Sequence, residues 1–138
     1  MEDENAMRRM CSNCKKDCQH LLGDLCQACY ALHERIKVQL IKARKNGEVA
    51  DLTLAQYTQM LKHFKHRCAY CDTFSLYLFI EHFVPIGLGA GTTASNCVPA
   101  CNRCNSRKRR LHPDHVTLIA KPALKRVYEY LANIKNSS

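Results

Sequence analysis

Eight of the ten cysteines in this chain fall into four Cys-x-x-Cys pairs: Cys11 with Cys14, Cys26 with Cys29, Cys68 with Cys71, and Cys101 with Cys104. A two-residue spacer lets both thiolates of a pair turn toward one metal ion, and two pairs complete a tetrahedral zinc site. The pattern predicts two structural zinc ions. One would sit on Cys11, Cys14, Cys26 and Cys29, the other on Cys68, Cys71, Cys101 and Cys104. The second ion pins residues that are far apart along the chain. The competing explanation is the disulfide framework of a secreted protein. The opening Met-Glu-Asp-Glu-Asn-Ala-Met-Arg-Arg has no apolar run of the signal-peptide kind. Zinc in a reducing, cytoplasmic setting is therefore expected. Cys18 and His20 lie between the first two pairs and could each replace a ligand. Cys97 stands outside the pairs and is expected to be buried.

With 138 residues, no Trp and four Phe, the chain can build only a thin core, which bound metals would reinforce. This bounds it to one modest domain, or one domain with a small metal-held module. The formal net charge of +9 suits a polyanionic partner. Nucleic acid is the first candidate and an anionic membrane surface the second; charge alone does not choose. No apolar run reaches transmembrane length, so a soluble protein is expected.

Residues 1–10 are polar and predicted to be disordered. Residues 11–29 read as a zinc knuckle or ribbon, able to fold around its own ion. From about 29 to 46 the pattern is helical, with Leu32, Ile36, Leu40 and Ala43 on one face. Arg35, Lys37, Lys42, Arg44 and Lys45 lie largely elsewhere, either as a solvated surface or as a DNA contact. Thr53 and Gln56 have capping-box spacing, which predicts a helix over 53–66. A strand is predicted over 74–83, then a loop containing Gly87, Gly89 and Gly91, a short strand over 96–99 and a helix over 102–111. Pro122 marks the first turn of a last helix ending near 134. The expected division is a zinc module with its basic helix over 1–50 and a second domain over 51–138.

Between and beside the second set of cysteines lie Glu81-His82-Phe-Val-Pro85, then Asn96, then Cys101-Asn-Arg-Cys104-Asn105-Ser-Arg-Lys108. In this order and form the segment resembles the HNH endonucleases braced by a four-cysteine zinc site. The resemblance implies an α+β fold: a small ββα-metal core with flanking helices, beside the N-terminal zinc knuckle. It implies a metal-dependent DNA endonuclease that nicks as a monomer, since one site cuts one strand. His82 would be the general base, because an imidazole accepts a proton near neutral pH. Glu81 and Asn105 would hold a catalytic Mg²⁺ or Mn²⁺, which favour oxygen donors. Asn96 would brace the loop and orient the His82 ring.

Many family members have Asp where this chain has Glu81. Neighbouring strand residues point to opposite faces, so Glu81 and His82 can act together only where the strand ends or distorts. Arg103, Arg107, Lys108, Arg109 and Arg110 crowd the helix that carries Asn105 and are expected to grip phosphates. His112 and His115 are expected to be exposed or to face DNA. Two other readings remain at this level. One is a non-catalytic zinc-stabilised nucleic-acid-binding module, the other an adaptor whose zinc knuckle recruits a protein partner. Binding alone would need none of Glu81, His82, Asn96 and Asn105, so their joint presence favours the enzyme. Oligomeric state is left open.

Overall fold

The computed structural model describes residues 9–108, 110–112, 115–116 and 119–137. Of the terminal segment expected to be disordered, residues 1–8 lie outside that range. Arg9 and Met10 form β1 (Arg9–Met10), which pairs antiparallel with β2 (Asp17–Cys18). The turn between them carries Cys11 and Cys14 and is closed by the Lys15 N–H donating to the Cys11 carbonyl at 2.9 Å.

Helix α1 (Gln27–Lys45) begins at Cys26, its N-cap, so the second cysteine pair straddles the helix start. Cys29, Ile36 and Ala43 are its buried residues, at the seven-residue spacing of one helical stripe. Lys42, Arg44 and Lys45 occupy the last turn, where cations offset the negative end of the helix dipole. Helix α2 (Leu54–His63) starts with the expected capping box. The Gln56 N–H donates to Thr53 Oγ1 at 3.1 Å, and the Thr53 N–H donates to Gln56 Oε1 at 2.9 Å.

Strands β3 (Phe79–His82) and β4 (Cys97–Ala100) form a two-stranded antiparallel sheet, with Ile80 opposite Pro99 and His82 opposite Cys97. Helices α3 (Asn102–Lys108) and α4 (Lys121–Ser137) follow. The strand expected over 74–83 is thus only four residues long. Its ladder can run no further than the short β4 beside it, and Leu76 and Tyr77 lie uncovered at 75% and 82% exposure. The helix expected over 102–111 is observed as far as Lys108; Arg109 lies outside the described residues and Arg110 is in a turn. Strand, loop, strand, helix is nonetheless the expected α+β, ββα order.

The sheet is covered on both faces. Ile80 and Cys97 pack with Ile36, Leu52, Tyr57 and Met60 from α1, its following linker and α2. Val98 and Ala100 pack with Cys68, Tyr70, Phe83, Val127 and Leu131 on the other side. Cys97 is fully buried, as expected. The N-terminal half is therefore fastened to the sheet by packing. The zinc knuckle adds a polar link, since the Asn13 amide donates to Thr58 Oγ1 on α2 at 2.9 Å.

The loop between the strands is irregular, as its glycines imply, but it is held at defined points. The Thr92 N–H donates to the Val49 carbonyl at 2.8 Å, and the Asp51 and Leu52 N–H groups both donate to the Thr92 carbonyl at 3.1 Å. Glu48 accepts from the N–H groups of Gly87 and Gly91. Gly91 has φ +74°, and a Cβ there would lie 2.2 Å from the Val49 carbonyl oxygen. Only glycine permits this approach.

Truncating Ile36 tests whether α1 and the sheet share one core. Ile36→Ala is expected to lower the unfolding free energy by about 2–5 kcal/mol. Urea denaturation followed by circular dichroism should still give a single transition. An early transition confined to α1 would show that the two halves fold separately.

Candidate metal centres and nuclease cleft

The structure gathers the cysteines as the spacing requires. Cys11, Cys14, Cys26 and Cys29 form one group and Cys68, Cys71, Cys101 and Cys104 another, each with its sulfurs within 4.8 Å of one another. Tetrahedral Zn–S bonds of about 2.3 Å put neighbouring sulfurs ~3.8 Å apart. The observed separations are 3.8 Å for Cys14–Cys26 and 3.6 Å for Cys71–Cys101. None of the ten cysteines is joined in a disulfide. Both clusters fit structural zinc.

The thiols within each cluster are tuned unequally. Burial raises Cys11, but N–H groups of Cys14, Cys26 and Asn13 outweigh it and bring Cys11 down to about 6. Burial drives Cys29 up to about 12. In the second cluster, burial and neighbouring thiolates raise Cys68 and Cys104. Four thiolates so close together need a cation to be ionised at once. Cys18 lies beside the first group without belonging to it.

Glu81, His82 and Asn105 line one cleft of about 770 Å³. One of its walls is the middle of α3 at Asn105, with Arg110 beyond the helix end, and the other is α1 through Arg35, Gln39, Lys42 and Lys45. Pairing of β3 with β4 is regular through His82, so Glu81 and His82 leave the strand on opposite faces. The cleft wraps the strand end and reaches both.

On one face, Glu81 is 3% exposed. The Tyr70 hydroxyl donates to its Oε2 at 2.6 Å, and Lys108 Nζ donates to its Oε1 at 3.1 Å. Lys108 Nζ also donates to the His82 carbonyl at 2.8 Å. Burial alone pushes the carboxyl up and the ammonium down, and each partner's charge opposes the other's shift. The sequence pattern places Lys108 among the cations expected to grip phosphates. It is instead fully buried, with its ammonium spent on Glu81 and the β3 backbone. Arg103 and Arg107 are exposed on α3, Arg110 lines the cleft, and Arg109 lies outside the described residues.

On the other face, His82 Nε2 lies 2.8 Å from Thr92 Oγ1, and Thr92 Oγ1 lies 3.0 Å from the Gln39 carbonyl oxygen. A threonine hydroxyl has one proton. Both contacts are hydrogen bonds only when Thr92 donates to Gln39 and accepts from the His82 Nε2–H. The neutral ring then keeps its lone pair on Nδ1. Burial first, then the positive charges of Lys108 and Lys42, lowers His82 to about 4, so the ring is neutral at physiological pH.

Asn96 is 4% exposed and spans the loop. Its Oδ1 accepts from the Val84 N–H at 2.8 Å, while its Nδ2 donates to the carbonyls of Val84 at 3.0 Å and Gly91 at 2.8 Å. These bonds brace the loop; the ring of His82 is bonded by Thr92. His112 packs its ring 5.6 Å from that of Phe83.

Residues 68–117 match the family model described as HNH endonuclease. Over that segment the chain is similar to the HNH endonucleases. No curated protein matched the chain.

Sequence reasoning did not reach Thr92, Tyr70 or Glu48, whose roles arise from contacts across long stretches of chain. One signal was present for the α1 wall. Arg35, Gln39 and Lys42 recur at three- and four-residue spacing, which puts them on one side of a helix.

Elemental analysis of the purified protein is expected to find two zinc ions per chain, one for each four-cysteine group. Disulfides with no bound zinc would overturn the assignment. Lys108→Ala would strand the Glu81 carboxylate and should cost about 3–5 kcal/mol of stability. Adding Glu81→Gln, which removes the stranded charge, should recover part of that loss in thermal denaturation.

Proposed function

We propose that this protein is a metal-dependent DNA endonuclease that uses His82 as its general base. The reading is carried by one observation: a half-buried, neutral imidazole opens onto the same cationic cleft as Glu81 and Asn105. Carboxylate and amide oxygens are the donors that Mg²⁺ and Mn²⁺ prefer. Each oxygen of Glu81 keeps a lone pair beyond its bond to Lys108 or Tyr70. Glu81 and Asn105 therefore fit a divalent ion, which would relieve negative charge on the phosphoryl oxygens and the departing 3′-oxygen.

The chain's own residues supply the rest. Thr92 commits Nε2 as a donor, so Nδ1 takes the proton from an attacking water. The water oxygen bonds to phosphorus in line with the P–O3′ bond, which breaks. The 3′-oxygen takes a proton from solvent, and the imidazolium returns its own to solvent. The products carry 5′-phosphate and 3′-hydroxyl ends. One such site cuts one strand, so a monomer nicks.

Supercoiled plasmid should be converted to open circles when Mg²⁺ or Mn²⁺ is added, and not without it. His82→Ala should reduce nicking by about 10²–10⁴-fold while zinc content and DNA affinity are retained. Thr92→Val should lower kcat by about 10–100-fold with KM little changed, and Thr92→Ser should restore it. Nicking by His82→Ala at the unaltered rate would sink the assignment. The alternative, a zinc-stabilised nucleic-acid-binding module, is favoured by one feature: both Glu81 oxygens are already engaged. Tight plasmid binding without nicking in either metal would select it.

A further inference from the structure

Helix α1 lies outside the matched segment 68–117, yet it forms a wall of the cleft. Its cleft-lining cations are not scattered. Arg35, Lys42 and Lys45 fall at i, i+7 and i+10, within one stripe at about 100° per residue. The buried stripe of Cys29, Ile36 and Ala43 is turned roughly a third of a revolution away. Packing of Ile36 against Tyr57 and Ile80 therefore fixes which charges face the cleft. Lys37 and Arg44 carry the same charge but lie about as far round the helix on the other side of the cleft stripe, outside the cleft lining.

Among the described residues lining the cleft, the cations are Arg35, Lys42, Lys45 and Arg110, and the sole carboxylate is Glu81. That carboxylate is already neutralised by Lys108. The cleft thus presents uncompensated positive charge from both walls. Arg35 is partly committed, since its guanidinium donates to the Leu78 carbonyl. Lys42 and Lys45 are exposed.

We propose that the cleft face of α1 is a phosphate-binding rail, with Lys42 and Lys45 taking backbone phosphates of the nucleic-acid strand that lies over His82. The rail deepens the nuclease reading, on which its choice of substrate rests. Arg110 holds the strand from the opposite wall, so the strand is gripped on both sides of the scissile bond. The N-terminal half of the chain thereby becomes part of the substrate site. The ligand is recognised as a polyphosphodiester, DNA or RNA, because lysine reads charge and not sugar.

The test compares two double variants of the full chain in a His82→Ala background, so that substrate survives. Lys42→Gln with Lys45→Gln empties the rail, and Lys37→Gln with Arg44→Gln removes equal charge from the far side. Affinity for a short duplex is measured by fluorescence anisotropy across a salt series. Zinc content and circular dichroism confirm that both variants fold. The rail variant should flatten the slope of log affinity against log salt by about 2, since each lost phosphate contact removes ~0.9. The far-side variant should keep most of the original slope. Duplexes of DNA and of RNA with the same sequence are run in parallel, and flattening on either supports the rail and names its backbone. Equal flattening by both variants, or by neither, on both polymers overturns it. If the unaltered protein cuts no plasmid but its slope depends on the rail, the nuclease reading fails and the rail stands. If it cuts plasmid and the rail variant binds like the far-side variant, the rail fails and the nuclease reading stands.

Discussion

The ion pair between Lys108 and Glu81 is buried at both ends, and three elements meet on it. Glu81 belongs to β3, Lys108 closes α3, and Tyr70, which donates to the same carboxylate, sits inside the Cys68–Cys71 turn. Removing two charges from water is costly, and the pair survives only because hydrogen bonds satisfy its groups. Lys108 meets that condition through Glu81 and the His82 carbonyl. No buried side-chain polar atom among the described residues lacks a partner. The zinc cluster fixes the two cysteine turns, and the ion pair fixes β3 relative to them. Without it, Glu81 and Asn105 would have no reason to share a cleft.

The second constraint comes from the linker between α1 and α2. Glu48 and Val49 hold the glycine-containing loop by its backbone, and Gly91 allows the close approach. Thr92 follows directly and bonds both the His82 ring and the α1 backbone. The orientation of the proposed base therefore depends on residues that precede the matched HNH segment. This couples the basic helix and its following linker to a strand end more than thirty residues later in the chain.

Charge follows packing in this molecule. The net charge of +9 predicts affinity for a polyanion but no direction. Direction arises because Ile36 and Ala43 must be buried, which turns one stripe of α1 toward the cleft. On α3 the same logic works in reverse: Lys108 is drawn inward by Glu81 and lost to the surface, while Arg103 and Arg107 stay exposed. No described helix is long and apolar enough to cross a membrane.

The two thiolate clusters, the capping box at Thr53, the buried stripe of α1 and the order of the ββα elements are all legible in residue order. Each depends on residues a few positions apart, or on cysteine pairs whose chemistry names their partners. The burial of Lys108, the tautomer of His82, the clamp on the loop and the facing of the basic stripe arise only from contacts made in the folded chain. Lys108 and Glu81 are 27 residues apart, and Thr92 and Gln39 are 53 apart. No local periodicity encodes such contacts. They follow from which apolar faces cover the sheet, and polar side chains then pair with whatever that packing brings within reach.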